Sequence, residues 1–289
     1  LTAAGAGLVT TADKLTYSTD ATAAQTSANL TQARLALSGG CGERTKGYLT
    51  GGTAGAYVAT ADKLTYSSDT TVAQTTANLS QGRDSLAGIS GEGTQGYVAG
   101  GYTGAVVATA DIITYSTDTT AAQASANLSQ ARSQLDGVSE GTTKGYFAGG
   151  STDSGVYTSS VATADKLTYS TDVTIAQTTA NLSQARQYLA GISEGLTKGY
   201  FAGGFTLSTQ VATADKLVYA NDTTAAQTTA NLSQARDSLA GCSGEGTKGY
   251  FAGGSTDNFA IGYVATSDKI TYSSNDSKRH SAWVKKVNF

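Results

Sequence analysis

Ala61-Asp62-Lys63-Leu64-Thr65-Tyr66 recurs along the chain with small changes, its aspartate falling at Asp13, Asp62, Asp111, Asp165, Asp215 and Asp268. The spacings are 49, 49, 54, 50 and 53 residues. Each of the first five copies runs on through Asn-Leu-Ser/Thr-Gln-Ala/Gly-Arg, ending at Arg34, Arg83, Arg132, Arg186 and Arg236. A Gly-Tyr-x-x-Gly-Gly follows, ending at Gly52, Gly101, Gly150, Gly204 and Gly254. From each Asp to the second glycine of its doublet is always 39 residues, whereas from that glycine to the next Asp is 10, 10, 15, 11 or 14. A fixed frame therefore carries one loop of variable length. Repetition at a fixed period marks an array of units that bury their faces against one another.

Composition fits an array of strands. Of 289 residues only 14% are charged, against about a quarter in ordinary globular chains, while Gly occurs 35 times and Pro and Met are absent. Helix-rich, coiled-coil and disordered chains are disfavoured by this balance. The formal net charge of -3 supplies no general basic field, which argues against nucleic acid as a partner of the whole domain. No apolar run reaches the length of a membrane span. Because residue 1 is Leu and no Met occurs, the chain is read as a processed product or a piece of a longer polypeptide.

A unit of about 50 residues has the length of the longer propeller blades. Lys-Gly-Tyr-Phe-Ala-Gly-Gly (144–150) and Val-Ala-Thr-Ala-Asp-Lys-Leu-Thr-Tyr (161–169) are short, rich in β-branched and aromatic residues, and bounded by Gly or Ser-Thr-Asp clusters, as strands are. Leu86, Gly88 and Ile89 mark another strand ahead of a Glu-Gly turn. Thr-Thr-Ala-Ala-Gln-Thr-Thr-Ala-Asn-Leu (223–232) reads as the outermost strand, with helix the competing reading because Ala, Gln and Leu favour it. Four short strands per unit make one blade, and neighbouring blades cover the faces that a lone sheet exposes.

A Gly-Gly doublet ending a strand, a variable loop, a strand ending in Tyr and an Arg opening the next unit resemble the kelch repeat of β-propellers. The resemblance covers residues from about 8 to 273. It departs from the family in lacking the Trp that usually follows the Tyr, since Thr71, Val72 and Ala73 stand there, so blade packing is expected to be lighter. The Ala- and Thr-rich wording, with Tyr-Ser-Thr-Asp-Thr-Thr and Ser-Gln-Ala-Arg, is also similar to kelch-like repeat proteins of tailed bacteriophages and some bacteria. Those are surface or virion components. The expected fold is all-β, a kelch-like propeller of four-stranded blades. Six blades are preferred and five are the alternative, because six Asp-bearing strands meet only five Arg and Gly-Gly segments. Residues 1–275 are read as one propeller domain, and 276–289 as a basic closing strand or contact tail.

Catalytic supply is poor. His280 is the only histidine, which disfavours Ser-His-Asp chemistry and multi-histidine metal sites. The carboxylates Glu43, Glu92, Glu140, Glu194 and Glu245 recur once per unit, as does the Asp series, and a group repeated around a ring makes a poor asymmetric reaction centre. Each repeated Arg lies eight or nine residues before one of these Glu residues, so an intramolecular Arg–Glu pair is expected. Calcium loops of the Asp-x-Asp-x-Asp-Gly kind are missing. Two Gly-x-Gly-x-x-Gly matches, at Gly91, Gly93 and Gly96 and at Gly244, Gly246 and Gly249, read as hairpin turns, because a strand and not a helix follows them. Cys41 and Cys242 read as small buried thiols. No catalytic residue, metal or cofactor is expected, and the chain is read as no enzyme.

Eleven of the 16 Tyr belong to the repeat frame and read as blade packing. The variable loops add Tyr57, Tyr102, Tyr157, Phe205, Phe259 and Tyr263, mixed with Ser, Thr, Asn, Gly and acids such as Asp153 and Asp257. Such mixtures give rigid contact area with adaptable hydrogen bonding, and aromatic faces suit sugar rings. These eight residues are the candidate binding set. The loops should share one face with the Asn-Leu-Ser-Gln turns. The expected function is a structural or recognition module of a virion, tail-fibre associated, or of a cell surface. Other virion or surface proteins or a glycan receptor are the partners considered, with self-association as a further arrangement. A lectin-like propeller is the alternative reading and an enzyme with a central-channel site the least favoured.

Overall fold

The computed structural model describes residues 8–91, 93–153, 159–244, 246–257, 262–272 and 283–284. β1 (Asp13–Thr16) and β2 (Ala21–Ala24) form a two-stranded antiparallel hairpin. Four antiparallel sheets of four strands follow in chain order. They are β3 (Ser38–Gly42), β4 (Lys46–Thr50), β5 (Ala61–Thr65) and β6 (Thr70–Ala73); β7 (Ala87–Gly91), β8 (Gln95–Ala99), β9 (Ala110–Thr114) and β10 (Thr119–Ala122); β11 (Asp136–Ser139), β12 (Lys144–Ala148), β13 (Ala164–Thr168) and β14 (Val173–Ala176); and β15 (Ala190–Glu194), β16 (Lys198–Ala202), β17 (Ala214–Val218) and β18 (Thr223–Ala226). In the fifth sheet β19 (Ala240–Gly244), β20 (Lys248–Ala252) and β21 (Ser267–Thr271) are joined by β22 (Trp283–Val284), which pairs with the opposite edge of β19. No α-helix occurs among the described residues.

The first strands β3, β7, β11, β15 and β19 stand side by side around an axis, and β22 lies beside both β19 and β3. The result is a β-propeller of five four-stranded blades. Five, the alternative count, is the number of complete blades. The preferred six gives way because, among the described residues, the Asp13-bearing strand pairs only with β2, the strands β3 and β4 that follow it lying in the first blade. That hairpin nevertheless stands between the fifth blade and the first, as its side chains show. Asp20, in its turn, accepts hydrogen bonds from Lys248, Tyr250 and Lys269 of the fifth blade, and Lys14 reaches Asp69 of the first at 2.6 Å. Residues more than 200 positions apart thus close the ring.

The stretch that reads as either strand or helix splits at its glutamine. In the second blade Thr119–Ala122 is strand, and Ala124–Ala126 after Gln123 is a single 3-10 turn; the same division occurs in the other units. Threonine supports the extended half, while Ala and the following Asn leave room for only one turn. Asn127 then fixes the crossover, its Oδ1 accepting the amide of Ala110 at 2.8 Å.

Apolar packing lies between the facing sides of consecutive blades. Cys41, Tyr48, Ala61, Leu79, Val98, Ile113 and Tyr115, drawn from the first two blades, form one such cluster. Frame tyrosines stack from blade to blade, Tyr48 on Tyr115 and Tyr97 on Tyr169 with ring centroids 5.7 Å apart, and Tyr146 on Tyr219 at 5.8 Å. Offset aromatic pairs at this separation add about 0.5–1.5 kcal/mol each beyond simple burial. The first strands lie so close that a Cβ on Gly191 would sit 2.7 Å from the Gly137 carbonyl oxygen. The turns with Gly93 and Gly246 are the β7–β8 and β19–β20 hairpins, and both glycines have positive φ.

Candidate recognition face

Each variable loop starts at its glycine doublet and leaves from the same rim. Gly100 and Gly101 have φ of 71° and 111°, a region that costs an L side chain dearly. The amide of Gly101 donates to the Arg132 carbonyl at 3.0 Å, Leu128 N donates to Ala108 O at 2.9 Å, and Arg132 N to Val107 O at 3.3 Å. The loop base is therefore stitched to the Asn-Leu-Ser-Gln-Ala-Arg crossover that leads to the next blade. The glycine and leucine bonds repeat at Gly52, Gly150 and Gly204, and the arginine bond at Gly52 and Gly150. Loops and crossovers share one face of the ring.

Beneath this face the five repeated arginines are wholly buried. Their partners are the repeated aspartates and not the glutamates that sequence spacing suggests. Arg34 pairs with Asp62 at 2.7 Å, and Arg83–Asp111, Arg132–Asp165, Arg186–Asp215 and Arg236–Asp268 pair at 2.8 Å. Each guanidinium also donates to a carbonyl of the second strand, as Arg83 does to Val98 O at 3.1 Å. The Glu residues instead serve the opposite rim, Glu140 accepting both Thr142 and Thr143. Glu92 and Glu245 lie outside the described residues. The arginines thus clamp strands together and offer no anion site at the surface.

Among the described residues of the candidate set, Tyr57 and Tyr102 meet. Tyr57 from the first blade's loop packs edge-on against Tyr102 from the second, with centroids 5.6 Å apart and an interplanar angle of 79°. Tyr57 is 39% exposed and Tyr102 half-buried, so the pair forms an aromatic ridge across a blade boundary. Tyr263, on the fifth blade's loop, is 45% exposed. Asp257 is exposed on the same loop and accepts the amide of Gly262 at 3.0 Å. Asp153 is half-buried in the third loop. Phe205 does not present its ring. It is 5% exposed and pairs as a bridge with Gln187 and Gln210, so it anchors the fourth loop from below. Tyr157 and Phe259 fall outside the described residues.

Sequence reasoning passed over several residues of this face. Asp84 accepts Thr53 Oγ1 at 2.6 Å beside the tyrosine ridge, and Asp237 accepts Gln210 at 3.1 Å. Burial raises the pKa of both carboxyls. Leu207 stands 58% exposed at the tip of the fourth loop. Asp84 and Asp237 could have been noticed as the residues directly after Arg83 and Arg236, where other units carry Leu35, Ser133 or Gln187. Between the glycine doublets and the next Asp, and along the crossovers, the only cations of the described residues are the buried arginines. Lysines gather on the other rim, where Lys46 and Lys63 each reach Asp118 at 2.6 Å. The loop face is neutral to acidic and aromatic.

No group of His, Cys, Asp and Glu suited to a metal ion occurs among the described residues, and no helix among them is long and apolar enough to cross a membrane. Both cysteines are free thiols, Cys41 buried and Cys242 half-buried, and burial pushes the first up to about 12 and the second to about 11. No protein-family model and no curated protein sequence matches this chain.

Proposed function

We propose that this propeller is a non-enzymatic recognition module, a kelch-like component of a virion or a cell surface, whose loop face contacts a partner protein. The observation that carries this reading is the Tyr57–Tyr102 ridge on a face whose described cations are all buried. Aromatic area flanked by Thr53, Asp84 and Thr103 combines a rigid apolar contact with hydrogen-bonding groups, the composition of protein-binding surfaces. The missing exposed cations disfavour phosphate-rich ligands. Several shallow loops held on one rigid ring add their weak contacts through effective concentration. The virion or surface setting rests on the Ala- and Thr-rich repeat wording.

A lectin-like role is the second reading, favoured by the exposed faces of Tyr57 and Tyr263, on which a sugar ring can stack. Glycan-array screening of the chain and of Tyr57→Ala decides between them. Sugar binding that the substitution abolishes, at unchanged thermal stability, supports the lectin. Capture of a virion or surface protein from the same source, weakened at least tenfold by Tyr57→Ala and Tyr102→Ala, supports the protein-binding reading. A face whose substitution alters neither overturns both.

A further inference from the structure

Between each repeated Arg and the Leu that follows it, two adjacent frame positions change chemistry from unit to unit. They read Leu35-Ala36, Asp84-Ser85, Ser133-Gln134, Gln187-Tyr188 and Asp237-Ser238. The second residue of every pair has positive φ, and none is glycine. Backbone bonds join these second residues from blade to blade. Ser85 N donates to Ala36 O and Gln134 N to Ser85 O at 2.8 Å, while Tyr188 N donates to Gln134 O and Ser238 N to Tyr188 O at 2.9 Å. Because each pair directly follows the crossover that is stitched to a loop base, this belt rims the central channel on the loop face.

Two residues beyond Gln134 stands Asp136, where the other units carry Ser38, Ala87, Ala190 and Ala240. β11 and β15 each pair with a second strand along one edge and turn the other to the axis. On that inner edge the Asp136 carboxylate accepts the amide of Gly137 at 2.8 Å and that of Gly191, in the fourth blade, at 2.9 Å. Gly137, Ser139, Gly191 and Ser193 are half-buried, whereas their counterparts Gly88, Ser90, Gly241 and Ser243 are buried. The channel is thus open along the third and fourth blades. Gln134 is half-buried at its mouth, and its Oε1 is buried without a hydrogen-bond partner, which leaves an acceptor in need of a donor. The passage is narrow, since a Cβ on Gly137 would lie 2.8 Å from Gly88 O.

We propose that this mouth seats a lysine side chain of the partner protein, an inference that rests on the protein-binding reading of the loop face. The lysine stem passes Tyr188, and its ammonium donates to Gln134 Oε1 and to the Asp136 carboxylate. Charge supports this occupant, because Asp84 and Asp237 adjoin the belt at Ser85 and Ser238 while the described cations of the face are all buried. Shape supports it as well. An unbranched methylene stem with a compact three-donor head fits a narrow passage that a planar guanidinium fits poorly. The place is also apt, since anchoring residues of protein interfaces gather near the centre of the contact, and the axis is the centre of this face.

The test titrates the isotope-labelled whole chain with a capped peptide Gly-Gly-Lys-Gly-Gly, using the same peptide acetylated at Nζ as control, and follows backbone amide resonances by NMR. The lysine peptide is expected to shift Gly137 and Gly191 saturably, with a Kd on the order of 1 mM, and the acetylated peptide to bind at least tenfold more weakly. Asp136→Ala and Gln134→Ala install the residues that Ala87 and Ala36 already hold at the same frame positions, so the fold accommodates them. The first is expected to weaken binding at least tenfold and the second about threefold. No response of these amides at up to about 10 mM peptide, equal binding of the two peptides, or unchanged affinity in Asp136→Ala overturns the proposal. If partner capture depends on Tyr57 and Tyr102 while the mouth ignores the lysine peptide, the ridge reading stands and this one alone falls.

Discussion

Arg83 shows how one side chain holds a blade. It is fully buried, its ion pair with Asp111 measures 2.8 Å, and it donates to Val98 O and to Thr109 Oγ1. Two charges taken from water gain little net stability as a pair, but removing one strands the other in an apolar setting. Arg83→Met is therefore expected to lower unfolding stability by about 3–5 kcal/mol, read by urea denaturation, and Arg83→Met with Asp111→Leu to lose markedly less. Glycine at the loop base acts through shape. Gly101 has φ of 111°, and a Cβ there would lie 2.6 Å from Asp84 O. Gly101→Ala should cost more than the roughly 1 kcal/mol typical of a glycine-to-alanine exchange at positive φ alone, measured the same way. At this scale the repeat made Arg and Asp conspicuous as frame residues but misdirected their pairing. Sequence distance favoured the nearby Glu across a hairpin, whereas strand order brings an Asp 28 residues away in the first blade onto the guanidinium.

The hairpin between the third and fourth strands is the element that joins blades. Its turn aspartates Asp20, Asp69, Asp118, Asp172 and Asp222 all adopt positive φ, where Asp is tolerated better than most residues, and their carboxylates face the preceding blade. Burial works against ionisation of Asp118, yet hydrogen bonds from Lys46, Lys63 and Tyr48 outweigh it and hold the group at about 2; Asp222 is held at about 2 by Lys144, Lys166 and Tyr146. A carboxyl that binds its proton less readily when folded stabilises the fold above its unfolded pKa near 4. That contribution is lost as pH falls from about 4 toward 2. Urea midpoints should drop between pH 5 and pH 2.5, and Asp118→Asn with Asp222→Asn should start lower at pH 5 and drop less. The second blade departs from the rule, with Gln95 and Ile112 in place of lysines, so Asp172 relies on Tyr97 and Gln123. Strand positions at this scale were legible because Gly-Tyr and Asp-Lys-Leu-Thr carry strong local signals. The 3-10 turn after each Gln was not, since Ala and Thr pull the same ten residues toward different local structures.

As a whole, the molecule is a ring whose ends lock. Five blades follow from five complete repeats, and the sixth Asp-bearing strand, β1, contributes half a blade that spans the fifth and first. Counting aspartates overstated the blades because, among the described residues, β1 and β2 form a two-stranded sheet without inner strands paired to it. One variable loop per unit was legible from the constant 39-residue frame, and the shared rim follows from strand alternation. Which loop aromatics are presented was not legible from residue type: Phe205, directly after its glycine doublet and bridged to Gln187 and Gln210, is 5% exposed, whereas Tyr57, further out on its loop, is 39% exposed. Ring closure can be tested on the native sequence with a zero-length carbodiimide cross-linker and peptide mass spectrometry. Asp20 should form an intramolecular amide with Lys269, 2.8 Å away, or with Lys248, in the same samples that join Asp118 to Lys63. Asp118–Lys63 links without any from Asp20 to the fifth blade would mean that the units stack in an open line, and would contradict the ring.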